Sequence, residues 1–324
     1  MNVLITNIGR RGYLVRYLKQ ITEFGGKIYV SDCDDTASGL YGVNDGHFIL
    51  PRPVDDEELY VHSLLKLCLR QEITVVIPVI DPEIYILSNY VEKFKQRGIT
   101  VMVSSKNVLD ICYNKIRMNH FLDQIGFLIP KTYTSLDEFV EGYEKKKIDF
   151  PVIVKPVYGS GSVSTFQVTS MRELVEVFSE EALIQEFIDG QEYGVDVFND
   201  LTGKPLRCVV KKKLAMRSGE TDKAQTVKDE CIQKKMVALA QALGHIGNLD
   251  CDVIKQGERL YVIDLNPRFG GGYPATHESG VNLLAIILQL VQGKKVEADF
   301  ENYIEGLLVM KEVSIVTKKG GLDG

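Results

Sequence analysis

Asp264 interrupts the apolar run 260–265 and Asn266 ends it, a spacing of two, and Arg268 follows after a proline. The run reads as a buried strand, and alternate residues of a strand share a face. A carboxylate and an amide oxygen on one face suit a hard divalent cation such as Mg2+, which takes oxygen ligands and keeps several waters. A second strand-like run, 249–254, carries Asp252. The polar, glycine-containing segment 255–259 between the two runs reads as a hairpin turn. Such a hairpin sets Asp252 near Asp264, and two carboxylates with an amide would hold a metal against a polyphosphate. A carboxylate flanked by Tyr261, Val262, Ile263 and Leu265 needs a counter-charge or a metal once buried.

A second candidate chemistry lies in residues 151–164. An apolar β-run delivers Lys155, and the small-residue loop Gly159, Ser160, Gly161, Ser162 follows. Glycine lets backbone N–H groups approach phosphate oxygens, and lysine adds a point charge. The lysine precedes the glycines, so this is not a Walker loop. Further on, the apolar strand 182–188 contains Gln185, Glu186, Phe187 and Ile188 and runs into Gly190 and Glu192. Backbone amides of such a linker can read an adenine edge, and Glu192 can accept ribose hydroxyls.

These residues need elements to hold them. Residues 1–103 alternate strands (3–6, 27–31, 47–50, 75–79, 100–103) with helices (13–24, 56–70, 84–97), the pattern of a parallel sheet covered on both faces. Its ligand edge lies at the carboxyl ends of the strands. There the sequence places Asn7–Gly12, with Arg10 and Arg11 beside a helix start, then 32–34, then 81–83. The first loop is not Gly-x-Gly-x-x-Gly, which argues against a nicotinamide-binding oxidoreductase. Residues 108–150 read as helical, the chain from 150 as strand-rich with a turn at 200–204, and 230–243 and 281–290 as helices.

Composition narrows the class. The chain has 324 residues, 45% hydrophobic and 25% charged, which suits two or three globular units. A net charge of −6 argues against a basic nucleic-acid binder. The longest apolar run, near 283–290, is too short for a bilayer span. The first six residues read as a strand, without the basic leader of a signal peptide. Six scattered cysteines, without a Cys-x-x-Cys pair, suggest reduced thiols and a cytoplasmic protein without structural zinc.

In order along the chain, Lys115, Lys155 with its Gly/Ser loop, Gln185 to Ile188 with Gly190 and Glu192, Asp252, and the run Ile263 to Arg268 resemble the ATP-grasp superfamily. The nearest likeness is to carbamoyl-phosphate-synthase large-subunit-like proteins, as a single ATP-grasp unit. The resemblance implies an α/β fold, α+β overall: a pre-ATP-grasp, Rossmann-like domain at 1–107, then a two-lobed ATP-grasp domain at 108–324. Within the latter, 108–185 would include the small lid lobe and 186–324 the larger C-terminal lobe. It implies that Lys115 and Lys155 contact phosphates, that Gln185 stands beside the adenine amino group, and that Glu186, Phe187 and Ile188 supply hinge contacts. It further implies Glu192 on ribose, Asp252, Asp264 and Asn266 on Mg2+ (or Mn2+), and Arg268 on a phosphorylated intermediate.

The implied activity is an ATP-dependent, ADP-forming carboxylate–amine ligase acting through an acyl phosphate. Two alternatives stay open: phosphorylation of a small carboxylate, as in carbamoyl-phosphate synthase, and ATP binding without turnover. Strand alternation puts Lys211 and Lys213 on one face, toward nucleotide, while Arg217 and Glu220 would hold the carboxylate and the amine. His277 is a candidate base. The partners expected are a small carboxylate and an amine, with no nucleic acid and no membrane; a homodimer is left open. Removing Asp264 or Asn266 is expected to abolish turnover while leaving the fold intact.

Overall fold

Three sheets carry the chain in the computed structural model, which describes residues 1–159, 164–217 and 219–318. The first is built from β1 (Asn2–Thr6), α1 (Gly12–Lys19), β2 (Ile28–Asp32), β3 (Gly46–Ile49), α2 (Glu57–Arg70), β4 (Ile73–Pro78), α3 (Asp81–Ser88), α4 (Val91–Lys95) and β5 (Thr100–Val101). Its strands are parallel in the order β3-β2-β1-β4-β5. Val3, Leu4 and Ile5 of central β1 are fully buried, because helices cover both faces, whereas edge strand β3 alternates inward and outward. The strand order reverses at β1, so the loops after β1, β2 and β4 open on one edge.

Two helices differ from the sequence reading. The helix expected over 13–24 ends at Lys19. Gly26 then passes against Met1, just before β1, where a Cβ would lie 1.8 Å from the Met1 carbonyl oxygen. The helix expected over 84–97 is two helices, parted at Asn89 and Tyr90.

The second unit runs through α5 (Lys106–Tyr113), α6 (Lys115–Gln124), β6 (Thr132–Tyr133), α7 (Leu136–Glu144), β7 (Val152–Pro156), β8 (Phe166–Val168), α8 (Met171–Val177) and β9 (Ala182–Glu186). The strands form a small antiparallel sheet, β6-β9-β7-β8. Helices α7 and α8 cover it around Phe139, Val154, Leu174 and Ile184. Strand β6 falls inside the region read as helical; its two residues gain a partner only by pairing with Ile184 and Gln185 of β9.

The rest is β10 (Gln191–Asn199), β11 (Pro205–Arg217), β12 (Glu220–Val227), α9 (Glu230–Leu243), β13 (Gly247–Gln256), β14 (Arg259–Asn266), α10 (Tyr273–Glu278), α11 (Leu283–Val291) and β15 (Leu308–Met310). Its strands pair antiparallel as β14-β13-β10-β11-β12-β15. On one face Val195, Val197, Cys208 and Val210 pack against Ile232, Met236 and Leu239 of α9 and Met118 and Leu122 of α6. On the other, Phe198, Val209, Phe269 and Tyr273 share a core with Leu283, Leu284, Ile287 and, from the first unit, Ile5, Leu14 and Leu18. That shared core sets the open edge of the parallel sheet beside the large sheet. The six cysteines are unpaired, four of them buried. No described helix is long and apolar enough to cross a membrane.

Candidate active site

The hairpin read from the sequence forms, and its register decides the site. β13 and β14 pair Asp250 with Asn266 and Asp252 with Asp264. A bulge between Asp252 and Val253 lies beside these pairs. Each of the two carboxylates that were singled out meets a lysine. Lys115 at the start of α6 lies 3.2 Å from Asp264 Oδ1 and also donates to the Gly159 carbonyl at 2.7 Å. Lys213 of β11 lies 2.6 Å from Asp252 Oδ1. Burial disfavours the Lys213 charge, but Asp252 outweighs it and raises its pKa. Both lysine side chains are only 8% exposed, so these are pairs within the fold, not solvated surface charges.

A cavity of about 680 Å³ opens above this hairpin, between the small sheet and the large one. Lys155 reaches it from β7, buried, with its pKa lowered to about 8 by desolvation and by the neighbouring Lys115. Two neighbouring buried ammonium groups, of which Lys115 already faces Asp264, make this end of the cavity a phosphate site by charge. The opposite part of the cavity is apolar, walled by Ile153, Ile188, Ile254 and Ile263. Gln185, Glu186, Phe187 and Ile188 border it, as does Glu192 at its rim. Gln185 is buried and its Nε2 donates to Thr132 Oγ1 at 3.0 Å. The Glu186 N–H is committed to the Lys131 carbonyl, and the chain then leaves the ladder until Gln191. Gly190 lets that linker lie on β13, where a Cβ would come within 2.7 Å of Ile254 and of the Lys255 carbonyl oxygen. An apolar slot ending in cations fits a nucleotide base and its phosphates.

A second cavity of about 250 Å³ adjoins the first and shares Lys213, Asp252 and Asp264 with it. Its walls include Arg11, Asp81, Glu220, Asp250, Asn266 and Arg268. Arg268 donates through Nε to Asp81 (3.1 Å) and through Nη1 to Asp250 (3.4 Å). Burial works against its charge, but Asp81 and Asp250 prevail and hold it on. The Asp250 carboxyl is raised by burial, then by Asp252 and Asp196. Gly270 makes the packing possible, because a Cβ there would fall 1.9 Å from Asp250 Oδ2.

Lys115, Lys155, Gly159, Gln185 to Ile188, Glu192, Asp252 and Asp264 therefore line one cavity, and Asn266 and Arg268 line its neighbour. Ser160, Gly161 and Ser162 lie outside the described residues. Three assignments fall elsewhere. Lys211 shares its face with Lys213 but lines neither cavity; it is fully buried in an ion pair with Asp196, and Thr276 completes the cluster at 3.2 Å from its Nζ. A buried ammonium needs its own carboxylate, and Asp196 on β10 supplies it. Arg217 is exposed, borders neither cavity and pairs with Asp222 at 3.3 Å, since the end of β11 turns outward. His277 stacks on Tyr17 with ring centroids 3.5 Å apart and takes a packing role.

The residues that the sequence reading passed over are Lys213 as the partner of Asp252, Asp250, and Asp81 as the partner of Arg268. Asp250 was legible in principle, being two residues before Asp252 on the same strand. Asp81 was not, because its contact spans 187 residues. The intact-fold expectation also changes for Asp264, since it is paired without any metal.

The oxygen set tests the implied metal. Among the described residues no three Asp, Glu, His or Cys side chains converge as a cage, and the hairpin offers the Asp252 and Asp264 carboxylates with the Asn266 amide on the same strand as Asp264. Two carboxylates and an amide on neighbouring strands are hard oxygen donors, and they fit Mg2+.

Residues 3–102 match the PylC-like, N-terminal domain family, and residues 112–272 match the ATP-grasp domain family. A carbamoyl-phosphate synthase of Methanobrevibacter smithii is 24% identical, over 88% of this chain and 80% of that protein. The carbamoyl phosphate synthase large chain of Clostridium acetobutylicum is 23% identical over 74% of this chain, which spans only 24% of that longer protein. The biotin carboxylase domain of the Hydrogenobacter thermophilus 2-oxoglutarate carboxylase, solved with MgADP, ADP and bicarbonate, superposes with a TM-score of 0.74 at 15% identity, covering 95% of this chain and 73% of that one. With the cleft, the paired lysines and the acidic hairpin on these two family domains, the chain is a member of the ATP-grasp superfamily.

Proposed function

We propose that the chain uses ATP with Mg2+ to activate a small carboxylate as an acyl phosphate and passes the acyl group to an amine, forming an amide and releasing ADP and phosphate. The observation that carries this reading is the shared wall. Lys213, Asp252 and Asp264 border both the nucleotide-shaped cavity and the smaller polar one. A γ-phosphate from one side and a carboxylate from the other would meet there. The chain falls into an N-terminal unit at 1–107 and an ATP-grasp unit at 108–324, with lobes at 108–185 and 186–324.

Phosphate and carboxylate repel each other, so the site must neutralise both before they react. Lys115 and Lys155 take the phosphate charge, and phosphate binding keeps Lys155 protonated above its depressed pKa of about 8. Gln185 to Ile188 and the isoleucine slot hold the base, and Glu192 takes the ribose. Asp252, Asp264 and Asn266 hold Mg2+, which when bound screens the phosphate charge. Arg268, fixed by Asp81 and Asp250, faces the developing oxyanion. The partners are thus a small acid and an amine.

The test is a screen of acids and amines for ATP consumption. The expected products are ADP and phosphate, with hydroxylamine trapping a hydroxamate when the cognate acid is present. AMP and pyrophosphate would instead mean adenylation and overturn the mechanism.

A further inference from the structure

The second cavity has two ends of different charge. At the inner end Asp252 and Asp264 border the nucleotide cavity, and Arg268 is held by Asp81 and Asp250. At the outer end, Arg11 enters from the loop after β1 and meets Glu220 at the start of β12. Arg11 Nη2 lies 3.5 Å from Glu220 Oε1, and Lys311, just past β15, lies 3.4 Å from Glu220 Oε2. One carboxylate thus faces two cations, and Arg10 adds its charge nearby. Burial pushes the Glu220 carboxyl up, but Lys311 and Arg11 outweigh that and hold it below its ordinary range. Glu220 is therefore ionised, and the corner still carries net positive charge.

Arg11 is also under-used. Its buried Nε has no hydrogen-bond partner, and 3.5 Å to Glu220 is too long for a good hydrogen bond. Guanidinium presents a rigid fork that matches an oxyanion at two points. Its position is built: the Gly9 N–H donates to Asp32 Oδ2 at 2.7 Å, the Gly39 N–H to the Gly9 carbonyl at 2.8 Å, and the Arg11 N–H to the Ile8 carbonyl at 2.9 Å. A guanidinium with an unpartnered Nε and only a long contact to Glu220, held on a fixed loop in the wall of the cavity, is a recognition element awaiting an anion.

We propose that Arg11 determines substrate specificity: it binds a second, non-reacting oxyanion of the acid substrate, a carboxylate or a phosphate, while the reacting carboxylate sits by Asp252 and Asp264. The cognate acid would then carry two anionic groups. This rests on the second cavity being the acid's site.

The experiment compares matched acids with wild type, Arg11→Ala and Arg11→Lys. Glutarate and 3-phosphoglycerate are set against butyrate, first by calorimetry with the enzyme alone and then by ADP release. Wild type is expected to bind at least one dianionic acid tenfold or more tightly than butyrate. Arg11→Ala should weaken that binding roughly ten- to hundredfold, the scale of a charged hydrogen-bonded pair. Arg11→Lys should recover only part, because charge remains but the fork is lost. In turnover the loss should fall on the KM of the acid and not on that of ATP. Whichever of glutarate and phosphoglycerate binds names the oxyanion. Equal binding of dianionic acids and butyrate by wild type, or equal weakening of both by Arg11→Ala, overturns the proposal. Arg11-dependent binding with no ADP release would uphold the subsite and sink the ligase reading instead.

Discussion

Asp264→Ala is expected to destabilise the nucleotide-free protein, although Asp264 also belongs to the oxygen set for Mg2+. Its partner Lys115 is 8% exposed and Asp264 itself 15%, so the substitution strands a nearly buried ammonium. Breaking a buried pair from one side typically costs about 3–5 kcal/mol. Here the cost falls at the low end or below, about 2–3 kcal/mol, because Lys115 keeps its 2.7 Å bond to the Gly159 carbonyl and water reaches the cleft. For a chain of this size that is roughly 3–5 °C in Tm. Chemical denaturation of the apo protein at neutral pH measures it. The double variant Lys115→Met/Asp264→Leu isolates the cause, since replacing both charges by apolar groups is often neutral. It should regain most of the loss. Triphosphate added with chelator should stabilise Asp264→Ala more than wild type, because it returns a negative partner to Lys115. An apo Asp264→Ala protein within about 0.5 kcal/mol of wild type, or a double variant no better than the single ones, would refute the pairing.

Two further outcomes follow from buried groups near the site. Glu83, buried with the Tyr60 hydroxyl donating to it, has its carboxyl pushed up to about 6 by desolvation, against the hydrogen bond from Tyr60. A raised carboxyl binds its proton more tightly when folded, so stability falls as pH rises from about 4.5 to 6, by about 2 kcal/mol in all. Urea unfolding across that range should show wild type losing this much relative to Glu83→Gln; a pH-independent difference would count against it. Gly270→Ala places a methyl 1.9 Å from Asp250 Oδ2 and must drive Asp250 off Arg268. It should cost about 1–3 kcal/mol and most of the ADP release, and unchanged turnover would show that the Asp250–Arg268 contact is dispensable.

Much of the site was legible because its logic is local. The Asp252–Asp264 pairing followed from a short hairpin with strand alternation, and the register obeys it. Lys155 and the 185–188 segment announced themselves as an apolar strand with one lysine and as a strand leaving its ladder. The parallel sheet was readable from continuous apolar runs between amphipathic helices. What failed was long-range. Lys211 and Lys213 are equivalent by alternation, and both face the same way. Only Asp196 on β10 and Thr276 on α10 enclose the first, while Asp252 on β13 leaves the second in the cavity.

The sequence by itself therefore determined the chemistry on offer: two buried-type lysines, hard oxygen donors on a hairpin, and an apolar hinge, all set by periods of two and by turn residues. Tertiary structure alone decided the allocation of charge. Asp81 belongs to Arg268 and Arg11 to Glu220 because the apolar core around Ile5, Leu14, Phe198 and Tyr273 seats the parallel sheet's open edge on the large sheet. Such pairings depend on which surfaces are buried together, and no local spacing encodes a contact between residues some two hundred positions apart.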